Sequence, residues 1–277
     1  MLRTQSLVVL GLLAFAVGCD GKSPVQPSQP GTAVTGLAIT GADAVVTGGS
    51  ANYTVTATFG DGSTRTILPA WTISNPGVIS VDSMGRVEGR AHGSATLTAS
   101  YNGQSASKTV QVFNNYAGTW EGRYIVRACA DTGDLTDHDG GWCKAGPERV
   151  GSVLGIAMTL VQSGSEVTGR LPCCDGTITG IVRADGRLNL SGSVTEPDFD
   201  YPEIAIGTLQ VGPWDSNLEG TNGMTGQWTW VYTSLSGRKG TSHTENELVT
   251  MTRVSASAAP PSAIQPSIRA VLARGRR

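Results

Sequence analysis

"YAGTWEGRYIVRAC", residues 116–129, decides the fold. In an extended chain Trp120, Tyr124 and Val126 fall on one side, and Glu121, Arg123 and Arg127 on the other. A period of two marks a strand with one face in a core and the other in water. Seven more alternating segments follow, near 152–162, 165–172, 176–183, 186–194, 203–211, 224–233 and 244–253. Links such as "SGS", "CCDG" and "ADG" are short and rich in turn formers, so neighbouring segments are expected to pair antiparallel as a meander. Eight such strands can close into a barrel whose interior is filled by side chains or holds one small ligand. On the seventh strand the expected inward set is Met224, Trp228, Trp230 and Tyr232.

Upstream, a second region alternates in the same way. "ANYTVTATF" puts Tyr53, Val55, Ala57 and Phe59 on one face, and "ATLTASY" does so for Ala95, Leu97, Ala99 and Tyr101. Gly48-Gly49, Asp61-Gly62, Asn75-Pro76-Gly77, Met84-Gly85 and Asn102-Gly103 separate short strands at the spacing of a β-sandwich. The run "AWTISNPGVISVDSMGRVEGRAHGSATLTASYNG", with "VTGLAITG" before it and "KTVQV" after it, resembles the bacterial immunoglobulin-like domain of group 2 over residues 33–113. That resemblance implies a sandwich used in bacterial surface proteins as a spacer or adhesion module, without catalytic residues. Trp71 is expected in its core. His92, with no second His or Cys nearby, is a poor metal ligand.

The barrel segments carry a fainter likeness. "GTW" at 118–120, "MTLVQSGSEVTGRL" at 158–171 and "MTGQWTW" resemble small lipocalin-like barrels of bacterial lipoproteins. In lipocalins an Arg on the last strand packs over the Trp of the first. The resemblance therefore implies that Arg253 covers Trp120. The fold class expected is all-β: an immunoglobulin-like sandwich at 33–113, then a roughly eight-stranded antiparallel, lipocalin-like β-barrel at 116–253.

The N-terminus places the chain outside the cytoplasm. Arg3 is followed by an apolar core, Leu7 to Val17, too short for a bilayer-spanning helix of about 20 residues. Ala16-Val17-Gly18-Cys19 resembles a bacterial lipobox, in which the cysteine becomes the acylated first residue. Residues 1–18 are then a lipoprotein signal peptide, and the Pro-rich segment 19–32 a tether. Residues 254–277 read as a disordered basic tail. The expected location is the cell envelope, lipid-anchored at Cys19, with inner or outer membrane left open.

Four cysteines remain after that processing: Cys129, Cys143, Cys173 and Cys174. In an exported chain they are expected to form disulfides. The meander brings all four to one barrel mouth. That favours two bridges from Cys129 and Cys143 to the Cys173-Cys174 pair. The rival is Cys129–Cys143 with a vicinal ring. Between the first two cysteines, Asp137 and Asp139 form half of a calcium-loop pattern whose closing Glu is missing. Their other reading is a solvated acidic loop.

A net charge of −2 and 15% charged residues give no basic face for nucleic acid. No motif of a serine hydrolase, a zinc protease or a nucleotide-binding loop occurs, and no cofactor is implied. The expected function is a non-catalytic, membrane-anchored binding or adhesion lipoprotein, with the sandwich as stalk or module and the barrel as head. Its partners would be the membrane, through the lipid, and a cell-surface glycan or protein. The alternative is a lipocalin-like carrier of a small apolar ligand. Trp120, Trp228, Trp230 and Tyr232 are the candidate ligand-binding residues. The spacing of the stripe Trp228, Trp230 and Tyr232 matches an inward face, so barrel core is its first reading and a ligand surface its second.

Overall fold

The computed structural model describes residues 33–136, 142–145, 149–171, 175–196, 207–234 and 240–256. The signal segment, Cys19, the tether up to residue 32, Asp137, Asp139, Cys173, Cys174 and the tail from residue 257 lie outside these.

Ten strands make the first region: β1 (Val34–Thr40), β2 (Ala44–Val46), β3 (Ser50–Asn52), β4 (Thr54–Phe59), β5 (Thr64–Ile67), β6 (Ala70–Ile73), β7 (Ile79–Val81), β8 (Arg86–Gly89), β9 (Gly93–Tyr101) and β10 (Gln104–Phe113). They form three sheets, ordered β1-β4-β5, β2-β10-β9-β6 and β3-β8-β7. Val45, Ile79, Val87, Leu97, Val110 and Val112 pack together with the buried Tyr53. Tyr53 keeps its polar end satisfied by donating to Ala42 O at 2.7 Å. The alternation of β4 and β9 is reproduced: Val55, Ala57, Ala95, Leu97 and Ala99 are buried. Trp71 departs from the expectation of a core residue. It is half-buried, flanking the core rather than filling it. Its ring lies against Gly85, where an added Cβ would stand 3.1 Å from it.

The second region is a closed antiparallel barrel. Its strands are β11 (Gly118–Asp131), β12 (Val153–Ser163), β13 (Glu166–Arg170), β14 (Asp175–Val182), β15 (Leu188–Glu196), β16 (Gly207–Glu219), β17 (Gly223–Ser234) and β18 (Thr241–Ser255). Each pairs with the next in sequence. β18 returns to β11, from Thr119↔Ser255 to Asp131↔Ser242, and closes the ring. All eight sequence segments are strands. The largest extension is in β16, which continues to Glu219, eight residues past its expected end at 211. Gly212 and Pro213 sit in a bulge between Val211 and Trp214, so the proline interrupts the ladder without ending the strand.

The interior is apolar and strongly aromatic: Tyr116, Trp120, Tyr124, Trp214, Trp228 and Trp230 belong to one buried cluster with aliphatic neighbours. The expected inward set of β11 and β17 is buried throughout, and Glu121, Arg123 and Arg127 are outside. The two ends of the barrel differ. At one end the turns are tight, as at Gly164, Gly186 and Gly220, all with positive φ. At the other end the strands are joined by residues 132–152, 171–174, 197–206 and 235–240.

Candidate functional site

The tight-turn end is sealed by side chains. Trp120 is 0% exposed and donates from Nε1 to Tyr116 O at 2.8 Å. Arg253 lies across it, its guanidinium carbon 4.7 Å from the ring centroid, in the arrangement of a cation on an aromatic face. The barrel register puts Arg253 directly opposite Trp120, so closure of β18 on β11 builds this contact. Arg253 also donates to Asn115 O. Burial lowers its pKa from the ordinary arginine value.

Tyr116 completes the seal by donating to Gly186 O at 2.9 Å. Gln162 fixes the entering strand, accepting from Tyr116 N at 2.7 Å and donating to Asn114 O at 2.9 Å. Burial pushes the Tyr116 phenol up to about 12 from its ordinary value of 10.0. The fold therefore favours the neutral phenol. Its stabilisation is complete below the unfolded-state pKa and is lost as pH rises through the raised one. In an alkaline titration followed by phenolate absorbance, the latest ionising component is expected to coincide with loss of barrel structure. Tyr116→Phe should delete that component. A Tyr116 that ionises with the exposed tyrosines would refute the seal.

The same end meets the sandwich. Asn114 donates from Nδ2 to Gly186 O at 2.9 Å, and His92 Nε2 lies 2.9 Å from Ala184 O. His92 thus serves as a contact between the two regions.

The opposite end is built differently. Along β18 the inward residues are Ser242, Thr244 and Asn246, all buried, before Leu248 and Met251. β17 sets aromatic rings beside them: Trp228 faces Asn246, Trp230 faces Thr244 and Tyr232 faces Ser242. Trp228 and Trp230 have ring centroids 4.2 Å apart, and Tyr124 meets Trp228 edge-on at 5.0 Å. Trp214 stacks on Trp228 at 5.2 Å from the next strand. Leu209 and Val211 add an aliphatic wall on β16. Sequence reasoning found the aromatic stripe but missed its polar counterpart. Ser242, Thr244 and Asn246 alternate with His243, Glu245 and Glu247, which are exposed. The signal available was relative polarity: the uncharged set goes inward against a charged set.

The segment after β11 crosses this mouth. Thr132 N donates to Thr241 O at 2.8 Å, and the short 3-10 turn Gly133–Leu135 inserts Leu135, 1% exposed, into the barrel cluster. A disulfide joins Cys129 to Cys143 across a Cα separation of 5.5 Å. This corrects the expected bridges to Cys173 and Cys174. Cys143 stands on a single helical turn, Trp142–Ala145, that folds back over the end of its own strand. Local return brings the two sulfurs together before any partner on another strand is needed. Asp131 holds that return, accepting from Cys143 N at 2.9 Å and from Ser242 Oγ at 2.8 Å. A bridge over so short a loop contributes about 3 kcal/mol in the chain-entropy account. Cys129, Asp131 and Cys143 also lie within metal-ligand distance of one another. With both sulfurs in the disulfide, neither offers a thiolate, and the cluster is a structural staple rather than a metal centre.

No protein-family model matches this sequence, and no curated protein matches it. Among solved structures, the crystal structure of the S-layer protein rSbsC(31-844) is similar at 13% identity, with a TM-score of 0.25. The alignment covers 76% of this chain and 39% of that one, so the chain spans well under half the length of that protein. A likeness at that level says nothing about what this chain does.

Proposed function

We propose that this protein is an exported, lipid-anchored, non-catalytic binding protein of the bacterial envelope, with an immunoglobulin-like stalk of the group 2 kind and a lipocalin-like barrel as its head. The observation that carries the reading is the asymmetry of the barrel. Its sealed end contacts the sandwich through Asn114, His92, Ala184 and Gly186, and the end with the longer connections lies away from it. Chain order runs from the lipobox-like segment through the tether and sandwich to the barrel. An acylated Cys19 would therefore place the mouth of the barrel at the far side of the molecule from the membrane. The group 2 and lipocalin likenesses rest on the motifs quoted above. Arg253 over Trp120 adds to the second.

A carrier function for a small ligand is the second reading. What favours it is the mouth itself: a buried wall of aromatic and uncharged polar side chains, continued on the neighbouring strand by Leu209 and Val211.

The anchor is tested by expressing the wild type and Cys19→Ser in a lipoprotein-processing bacterium. Wild type should sediment with membranes, and its mature N-terminus should carry acyl mass. Cys19→Ser should be released. Several acyl chains, at about 0.8 kcal/mol per buried CH2, make the difference all-or-none. A wild type that is soluble and free of acyl mass would refute the anchoring.

A further inference from the structure

Protein interiors leave few buried polar atoms without a partner. This barrel has three in one place. Among the described residues, Trp228 Nε1, Trp230 Nε1 and Asn246 Oδ1 are buried with no hydrogen-bond partner. Trp228 and Asn246 are 1% and 2% exposed, and Trp230 is 8% exposed. They are adjacent: Trp228 and Asn246 are direct cross-strand partners, and the two indoles touch. Thr244 Oγ1 accepts from Asn246 Nδ2 at 3.1 Å, which leaves the amide oxygen as the free end. At the sealed end, by contrast, Trp120 Nε1 and the Tyr116 hydroxyl both donate to protein acceptors, and the unpartnered Arg253 Nε stands beside the Trp120 ring rather than in a cluster of such atoms.

The unsatisfied set consists of two donors and one acceptor. Its complement is a group that presents an acceptor to the indoles and a donor to Asn246. Among the described residues, the buried polar side chains of the barrel are those of Thr119, Ser216, Ser242, Thr244 and Asn246, all uncharged. A charged ligand group would therefore lose its hydration without a counter-charge.

The geometry points to a secondary amide as the ligand group held here: its carbonyl oxygen accepts from Trp228 and Trp230 Nε1, and its N–H donates to Asn246 Oδ1. Leu209 and Val211 give the rest of the ligand an apolar surface. The inference rests on the carrier reading, and it replaces a purely apolar cargo with an uncharged amide-bearing one. Such an amide occurs both as an N-acetyl group on a sugar and as a peptide bond beside an apolar side chain.

The test uses the full chain carrying Cys19→Ser, which needs no detergent, with its indole N–H signals followed by nuclear magnetic resonance. The probes are N-acetylglucosamine, N-acetyl-leucine methylamide, glucose and the hydrocarbon diphenylhexatriene. One or both amide probes should shift two indole signals saturably, while glucose shifts none. Which amide binds tells the sugar source from the peptide source. Trp230→Phe keeps the ring and removes the donor; it should weaken the amide probe about tenfold or more. Asn246→Leu removes the acceptor and should weaken the amide probe by as much without lowering the melting temperature. A residue that served only folding would not separate these two readouts. Binding of diphenylhexatriene with no binding of either amide would overturn the amide inference and leave the carrier reading standing. Binding of none of the probes would overturn both. Amide binding unchanged in Trp230→Phe and Asn246→Leu would overturn the site.

Discussion

Trp120→Ala is expected to unfold the barrel at denaturant concentrations where the wild type is intact, at a cost of about 3–5 kcal/mol. The side chain is fully buried at the sealed end, so truncation leaves a cavity the ring of strands cannot collapse into. It also strips Tyr116 O of its donor and leaves the Arg253 guanidinium partly buried without the ring beneath it. Against a domain stability of about 5–15 kcal/mol, the loss is a large share. Urea unfolding followed by near-ultraviolet circular dichroism measures it. The sandwich has its own core and should unfold at its unchanged midpoint. Trp120→Phe, which keeps an aromatic face under Arg253 and loses only Nε1–H, should fall well short of the alanine effect. A shift below about 1 kcal/mol for Trp120→Ala would mean that the Trp–Arg pair does not close the barrel.

Gly122→Val should do more damage still. Gly122 lies in β11 between the inward Trp120 and Tyr124, opposite Met251 on β18. A Cβ there would fall on Thr250 O and stand 2.7 Å from Met251 Cα. Both are backbone atoms of the strand that closes the barrel, so no rotamer change relieves the collision. The β11–β18 seam must part, and with it the register that sets Arg253 over Trp120. The expected result is a chain that retains the sandwich transition and has no cooperative barrel transition. Gly36→Ala is the control. Nothing lies within 4 Å of a Cβ at that position, and stability should change by no more than about 0.5 kcal/mol. A Gly122→Val protein with a wild-type barrel transition would refute the seam as drawn.

Much of this molecule was legible because strands announce themselves locally. Trp228, Trp230 and Tyr232 alternate with Gln227, Thr229 and Val231, and that alone assigns them to one face. The contact of Arg253 with Trp120 was anticipated through a resemblance and is present, although the two residues are far apart in sequence. The disulfide was misassigned because Cys129 and Cys143 were placed by strand direction. Direction predicts which mouth a cysteine reaches, but not the path of the loop that Asp131 and the Trp142–Ala145 turn fold back. Trp214 escaped notice because Gly212-Pro213 reads as a strand end when it is a bulge. Trp71 was assigned to the core as a Trp facing both sheets of a sandwich, and it packs against that core half-buried, while Tyr53 is buried within it.

By itself the sequence determined that the chain is all-β and which aromatic residues of β11 and β17 share a face. Those properties follow from a two-residue period and from turn formers, which act over a few neighbouring positions. Only the tertiary structure decided how three sheets share the first core, which cysteines pair, and that Ser242, Thr244 and Asn246 turn inward beside Trp228 and Trp230. The reason is closure: once β18 must pair with β11 on one side and β17 on the other, register and ring geometry fix which residues face inward.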